Sequence, residues 1–229
     1  MLNKSKLVVA SSSPRRRMLI NLLDVNSDFV SPDIYERPPE SGEKPSEYCS
    51  ELAILKSLEV KKNIDPDRLV LGSDTIVVLG DRIMGKPINV DQAIEMLNLL
   101  KNTSHFVYTA LALTSGIDSR IVTQVTSTKV WMRNYSDKEI DSYIRTGDCM
   151  DKAGAYAIQD TEFLPVKKID GCYMSVVGLP ICELIQLLNS TGLVGKVGLK
   201  IMSDDFNNCT YCPLTGSMLN RWNIKGDVP

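Results

Sequence analysis

The sequence is poor in several features that would announce a function directly. Its 229 residues include one histidine, His105, with no carboxylate or nucleophile positioned around it. It therefore reads as a structural hydrogen-bonding residue and not as a general base. Charge of either sign is not in excess: 26 basic residues nearly balance 28 acidic ones, for a net charge of -2. That excludes a general attraction to DNA or anionic membrane, so phosphate recognition must come from a local arrangement, aided by a cation. No apolar run approaches the roughly 20 residues that span a bilayer. Leu7 to Ala10, behind a basic start, is too short for a signal peptide. The expectation is a soluble, cytoplasmic protein with no membrane contact and no stable nucleic acid partner. The GxxxxGK[ST] pattern is missing, which argues against P-loop chemistry. Among six cysteines, Cys209-x-x-Cys212 has no second pair at zinc-site spacing, so zinc or redox chemistry is not expected. Cys49, Cys149, Cys172 and Cys182 read as small buried hydrophobes.

What is present is 43% apolar residues in short blocks between polar punctuation, enough for one substantial core or two small lobes around a cleft. Leu7 to Ala10 is a strand candidate. Ser13 then caps a helix with Pro14 at its first position and Met18, Leu19, Leu22 and Leu23 on its apolar face. Asp28 to Pro39 reads as irregular, and Ser46 as the cap of a helix reaching about Lys62. Leu69 to Leu79 is strand-like, with a tight turn at Gly80-Asp81 leading into Arg82 to Met84. Asn89 and Gln92 open a helix whose core face is Ala93, Met96, Leu97 and Leu100. His105 to Thr114 and Ile121 to Trp131 are strands separated by the turn-rich Ser115 to Asp118. Ser136 and Glu139 form a capping box on a helix that Gly147 ends. Ala153 to Gln159 and Tyr173 to Val177 read as strands, and Pro180 to Leu188 as a last helix. This intermixing predicts an α/β or α+β layer structure. The glycine-rich residues after Gly192 carry no assigned chemistry.

Three segments carry chemical signals. In Ser11-Ser12-Ser13-Pro14-Arg15-Arg16-Arg17, arginines occupy a helix's first turn, where they oppose its dipole. Backbone N–H groups, serine hydroxyls and guanidinium forks gathered there suit a polyphosphate; a solvated basic turn is the bland alternative. Lys56 falls on the apolar stripe of Cys49, Leu52 and Ala53, so it leans toward the protein. It either snorkels to water or reaches into a cleft. Asp74 lies mid-strand in Leu71-Gly72-Ser73-Asp74-Thr75-Ile76-Val77-Val78, a poor place for a carboxylate without a partner. Metal coordination or activation of a water would supply one. Lys86 follows in Met84-Gly85-Lys86-Pro87. A carboxylate and a lysine brought near a basic helix start are the parts that phosphoryl chemistry needs. In Asp151-Lys152-Ala153-Gly154-Ala155-Tyr156-Ala157-Ile158-Gln159, small residues alternate with larger ones. Gln159 there either reads a nucleobase edge or satisfies backbone groups. Tyr156 and Tyr173 read as packing residues more than as base-stacking ones.

Six blocks in order resemble the Maf family of nucleoside triphosphate pyrophosphatases. They are SSSPRR at Ser11–Arg16, ELAILK at Glu51–Lys56, GSDTIV at Gly72–Val77, GKP at Gly85–Pro87, DKAGAYAIQ at Asp151–Gln159 and VVGLP at Val176–Pro180. The resemblance implies an elongated mixed-sheet α/β fold like that of inosine triphosphate pyrophosphatases, with two lobes around a cleft. It covers about residues 6 to 190, giving one catalytic domain over 1–192 and an extension over 193–229. It implies hydrolysis of nucleoside triphosphates to monophosphate and pyrophosphate, with dTTP, UTP and modified pyrimidine analogues as substrates, in a homodimer. By the same resemblance, Ser11, Arg15, Arg16, Lys56 and Lys86 hold the phosphates. Glu36 and Asp74 help hold Mg2+ or Mn2+, Asp74 is the base for the attacking water, and Gln159 contributes to the pocket. A nucleotide-binding regulator of cell division or septum formation that does not cleave its ligand is the competing reading. The chain departs from the family pattern at the second serine of SSSPRR, at Ser57, at Ala157 and at Asp160. The last two bear on pocket shape and base preference.

Overall fold

The computed structural model describes residues 6–115, 120–192, 194 and 196–200. Gly116 to Asp118 of the expected turn, and Cys209 and Cys212, lie outside the described residues. The elements run β1 (Leu7–Ala10), α1 (Pro14–Ile20), β2 (Ser27–Val30), α2 (Pro45–Lys61), β3 (Leu69–Leu79), β4 (Arg82–Met84) and α3 (Val90–Leu100). They continue with β5 (Ser104–Thr114), β6 (Ile121–Met132), α4 (Asp137–Thr146), β7 (Val166–Asp170), α5 (Tyr173–Val177) and α6 (Ile181–Thr191). The described strands form one mixed sheet in the order β2-β1-β3-β5-β6-β7, with β4 also paired to β3. β1 is parallel to both β2 and β3, whereas β3, β5, β6 and β7 pair antiparallel. The α/β mixed-sheet expectation therefore holds.

Strand periodicity assigns the two faces of the sheet. Even-numbered Ile76 and Val78 of β3, with Ala110 and Ala112 of β5, pack under Cys49, Leu52 and Ala53 of α2. Leu71, Leu111 and Leu113 face the other way, against Tyr173, Met174 and Val177 of α5 and Leu184 and Leu188 of α6. A further cluster joins Val77 and Val107 to α3 and α4 through Leu97, Leu100, Ile140 and Tyr143. Gly72 sets the separation between α2 and β3, because a Cβ there would stand 2.0 Å from the Ala53 carbonyl oxygen. Ser57, on the same turn of α2, bonds Thr114 Oγ1 at 2.7 Å inside the core.

Most capping signals are realised. Ser13 Oγ accepts from Arg16 N, Asn89 Oδ1 accepts from Gln92 N, and Ser136 with Glu139 closes a reciprocal box. Gly147 ends α4 in the left-handed conformation. Several expectations are corrected. α2 begins two residues early: Pro45 takes the first position behind Lys44, and Ser46 is already inside the helix. Ser27–Val30, read mostly as irregular, is a strand because the edge of β1 is available to pair it. Met18 is 39% exposed, and Ile20 takes its place in the core. Cys172 and Cys182 are only half-buried, unlike Cys49 and Cys149.

Two supposed strands are not strands. Tyr173–Val177 is a short helix: Cys172 Sγ accepts from Ser175 N, and Ser175 Oγ bonds Thr128 of β6 at 2.8 Å. Its β-branched residues pack on the sheet from above instead of extending it. In Ala153–Gln159, Gly154 and Ala155 take φ of 68° and 60°, which turns the chain and breaks strand alternation. The strand that the sequence reading overlooked here is β7, whose Lys167 and Lys168 hide the alternation. Beyond α6, Lys200 N and Gly198 O bond Leu22 O and Asp24 N, so the start of the extension lies against the loop after α1. No helix among the described residues is long and apolar enough to cross a membrane.

Candidate active site

The sheet itself creates the site. On one edge of β3, β1 pairs with Leu69 to Gly72, and β4 pairs with Val77 to Leu79. Between them, among the described residues, Ser73 to Ile76 pair only with β5 on the opposite edge. A cavity of about 370 Å3 opens at this gap, where β1 ends and α1 begins. A crevice beside the carboxyl end of a parallel strand is the usual ligand position in α/β sheets. Ser11, Arg15, Arg16, Glu36, Lys56, Asp74, Lys86 and Gln159 all line it. Residues separated by up to about 150 positions are thus brought together.

Asp74 shares the α2-facing side of β3 with Gly72 and Ile76, which directs it at Lys56. Lys56 Nζ lies 2.5 Å from Asp74 Oδ1 and 2.7 Å from Glu36 Oε1. Both ends of the Lys56–Asp74 pair are buried, at 8% and 6% exposure. Lys56 therefore reaches into the cleft and does not snorkel away from it. Burial pushes the Asp74 carboxyl above its usual range, and the opposing pull of Lys56 and Arg16 does not overcome this. Partial desolvation also raises the more exposed Glu36, but there Lys56, Lys86 and Arg16 outweigh it and hold the carboxyl below its ordinary value.

The arginines enter from the first turn of α1. Arg15 Nη1 donates to Asp151 Oδ2 at 3.0 Å, and Nη2 donates to the Asp151 carbonyl at 3.3 Å. Arg16 Nε donates to Gly178 O at 2.9 Å and Nη2 to Thr75 Oγ1 at 3.1 Å, so it straps α1 to β3 and to the end of α5. Burial lowers the pKa of this guanidinium, partly offset by the charge of Asp74. Ser11 is buried, and its Oγ accepts from Ser13 N at 3.2 Å. Lys86 stands exposed at the rim, and Gln159 is half-buried in the opposite wall, on a loop instead of the expected strand.

Residues given no role from the sequence also belong here. Asp151 and Lys152 line the cavity, and Thr75 holds Arg16. An acid–base pair beside a run of small residues, and a hydroxyl next to a mid-strand carboxylate, were the available signals. Tyr156 forms part of the wall, and its hydroxyl lies 2.7 Å from His105 Nε2 in the core. His105 is thus a structural hydrogen-bonding residue. Of the two departures bearing on the pocket, Ala157 lines the cavity, whereas Asp160 Oδ1 accepts from Glu162 N and Phe163 N and caps a turn outside it.

A family model described as Maf-like protein matches residues 6–191. The chain is 43% identical over 193 residues to a dTTP/UTP pyrophosphatase of Caldanaerobacter subterraneus subsp. tengcongensis, covering 84% of this chain and 92% of that protein. It is 42% identical over 183 residues to the dTTP/UTP pyrophosphatase of Thermoanaerobacter sp. (strain X514), covering 80% and 95% of the two chains. The protein of that name from Photorhabdus laumondii subsp. laumondii is 43% identical over 182 residues, with 80% and 92% covered. The serine, arginine, lysine and carboxylate residues that line the cavity all lie within the matched region, and the chain belongs to the Maf family, resembling its dTTP/UTP pyrophosphatase branch.

Proposed function

We propose that the protein hydrolyses nucleoside triphosphates, with dTTP, UTP and modified pyrimidine analogues as substrates, to nucleoside monophosphate and pyrophosphate. The observation that carries this reading is the sharing of Lys56 by Asp74 and Glu36 inside a cavity rimmed by Arg15, Arg16 and Lys86. Five basic and three acidic side chains line that cavity, a balance suited to a polyanion that arrives with a divalent cation. The matched relatives' name, dTTP/UTP pyrophosphatase, supports this base preference.

Mg2+ or Mn2+ suits the donors present. Glu36 and Asp74 are hard oxygen ligands already close enough to share one cation, the Lys56 ammonium. Such ions are held by one or two carboxylates plus phosphate oxygens and water, so no larger protein cluster is needed. Bound there, the ion would neutralise phosphate charge as the bond at the α phosphorus breaks. Asp74, whose burial raises its proton affinity, orients the attacking water and takes its proton. Arg15, Lys56 and Lys86 stabilise the charge that gathers on pyrophosphate, while Arg16 also holds the cavity wall in place. Gln159 and Ala157 border the space left for the base. The family resemblance further supports a two-lobed cytoplasmic enzyme acting as a homodimer.

The test is product analysis across the common ribo- and deoxynucleoside triphosphates with magnesium or manganese. Monophosphate plus pyrophosphate, fastest from dTTP and UTP, is the expected result. Diphosphate plus orthophosphate would overturn the assigned bond cleavage. Tight binding without products would point to a regulator that holds its ligand.

A further inference from the structure

One short segment ties down two walls of the cavity. It begins as a 3-10 turn, Asp148–Asp151, directly after α4. Each oxygen of Asp151 accepts a hydrogen bond there. Its Oδ2 and its carbonyl take the two Nη groups of Arg15, and its Oδ1 accepts from Lys152 Nζ at 2.7 Å. Lys152 is 6% exposed, and its ammonium also donates to Asp148 O at 2.5 Å and pairs with Asp148 Oδ1 at 2.8 Å. The carboxylate is thus pinned on one side by an anchored, buried ammonium and presents its other side to a guanidinium 136 positions earlier. Three residues on, Gly154 N donates to Gly85 O at 3.0 Å, beside Lys86. The path between is fixed: a Cβ on Gly154, at φ 68°, would stand 2.9 Å from Val77 Cγ2.

We propose that Asp151 is the positioning residue for Arg15, aiming its guanidinium at the substrate's phosphates without touching the substrate itself. This rests on the pyrophosphatase reading above. An arginine side chain loses considerable rotamer freedom when it is ordered on a ligand. Asp151 orders Arg15 in advance through Nη1 and Nη2, leaving further guanidinium N–H groups free to donate. Burial pushes the Asp151 carboxyl up, but Lys152 and Arg15 outweigh this and hold it below its ordinary value, so it stays charged. Lys152 offsets the negative charge that would otherwise face the phosphates.

The experiment is a double-mutant cycle on the full-length chain. It measures the Kd of a non-hydrolysable α,β-imido pyrimidine triphosphate with magnesium, alongside kcat and KM for dTTP. Asp151→Asn keeps the shape but removes the charge. It should weaken binding and raise KM by about tenfold to a hundredfold, with a smaller change in kcat. In an Arg15→Ala background the same substitution should change neither constant. If Asp151→Asn leaves affinity unchanged or tightens it, Asp151 does not position Arg15. An equal loss with and without Arg15 would likewise overturn the inference. Should the Asn variant not fold, Asp151→Glu tests the same coupling with the charge retained and the arm lengthened. Pyrophosphate release by the wild-type chain is scored separately, so a failure of the functional reading is distinguishable from a failure of this one.

Discussion

Lys56 Nζ lies between two carboxylates, 2.5 Å from Asp74 and 2.7 Å from Glu36, and joins α2 to the unpaired edge of β3. One ammonium neutralises two acids that would otherwise repel each other in a partly buried site. The contact holds the Glu36 carboxyl below its ordinary range, whereas burial keeps Asp74 above its own, so one cation sits between two acids of different proton affinity.

Replacing Asp74 by Asn should leave the protein folded, because Lys56 retains Glu36 as a partner and the cavity is open to water. Metal-dependent pyrophosphate release should fall by about a hundredfold or more. The measurement is turnover of dTTP with saturating magnesium, with circular dichroism as the folding control. Turnover near the wild-type level would remove Asp74 from the mechanism.

His105 should make the fold sensitive to mild acid. Burial pushes its pKa down from 6.5 to about 4. A depressed histidine contributes no change while both states are neutral, above about pH 6.5. Below that, the unfolded chain takes up a proton that the folded one refuses, and stability is lost as pH falls toward the folded value. From pH 7.5 to 5 the loss attributable to this residue is about 2 kcal/mol. As the chain has one histidine, urea titrations of wild type and His105→Gln at several pH values isolate it. The stability of wild type relative to the variant should decline by that amount over this range. A constant difference would mean that His105 protonates equally easily in both states.

Gly72→Ala should separate α2 from β3. The added methyl would meet the Ala53 carbonyl at 2.0 Å and Ser57 N at 2.8 Å, both backbone atoms of the helix that carries Lys56. Overpacking of this kind costs about 1–3 kcal/mol. The shift should appear as a lower urea midpoint together with a reduced kcat, since Lys56 moves with its helix. A variant as stable and active as wild type would show that the α2–β3 spacing does not set the site.

The sequence was most legible where a local rule has a local cause. Ser13, Asn89 and the Ser136–Glu139 box marked helix starts because capping involves only neighbours. Lys56 on an apolar stripe and Asp74 inside a strand were conspicuous because each violates its own element's pattern. Glu36 violates nothing locally, and only the family resemblance pointed to it. Local patterns failed where long-range packing decided the outcome. Tyr173–Val177 has strand-like composition, yet its Ser175 is caught by Thr128, 47 positions earlier, and the segment coils onto the sheet. Val166–Asp170 pairs with β6 although two of its five residues are lysines.

By itself the sequence determined the chemical inventory, the order of most elements and the two anomalies, Lys56 and Asp74, that identify the site. Those depend on residue type and spacing, which are local properties of the chain. Only the tertiary structure decided that β1 and β4 leave a gap along one edge of β3, that Lys56 serves two acids, and that Asp151 receives Arg15. Each of these joins segments far apart in the chain, and such pairings are fixed by packing and burial, which no local pattern encodes.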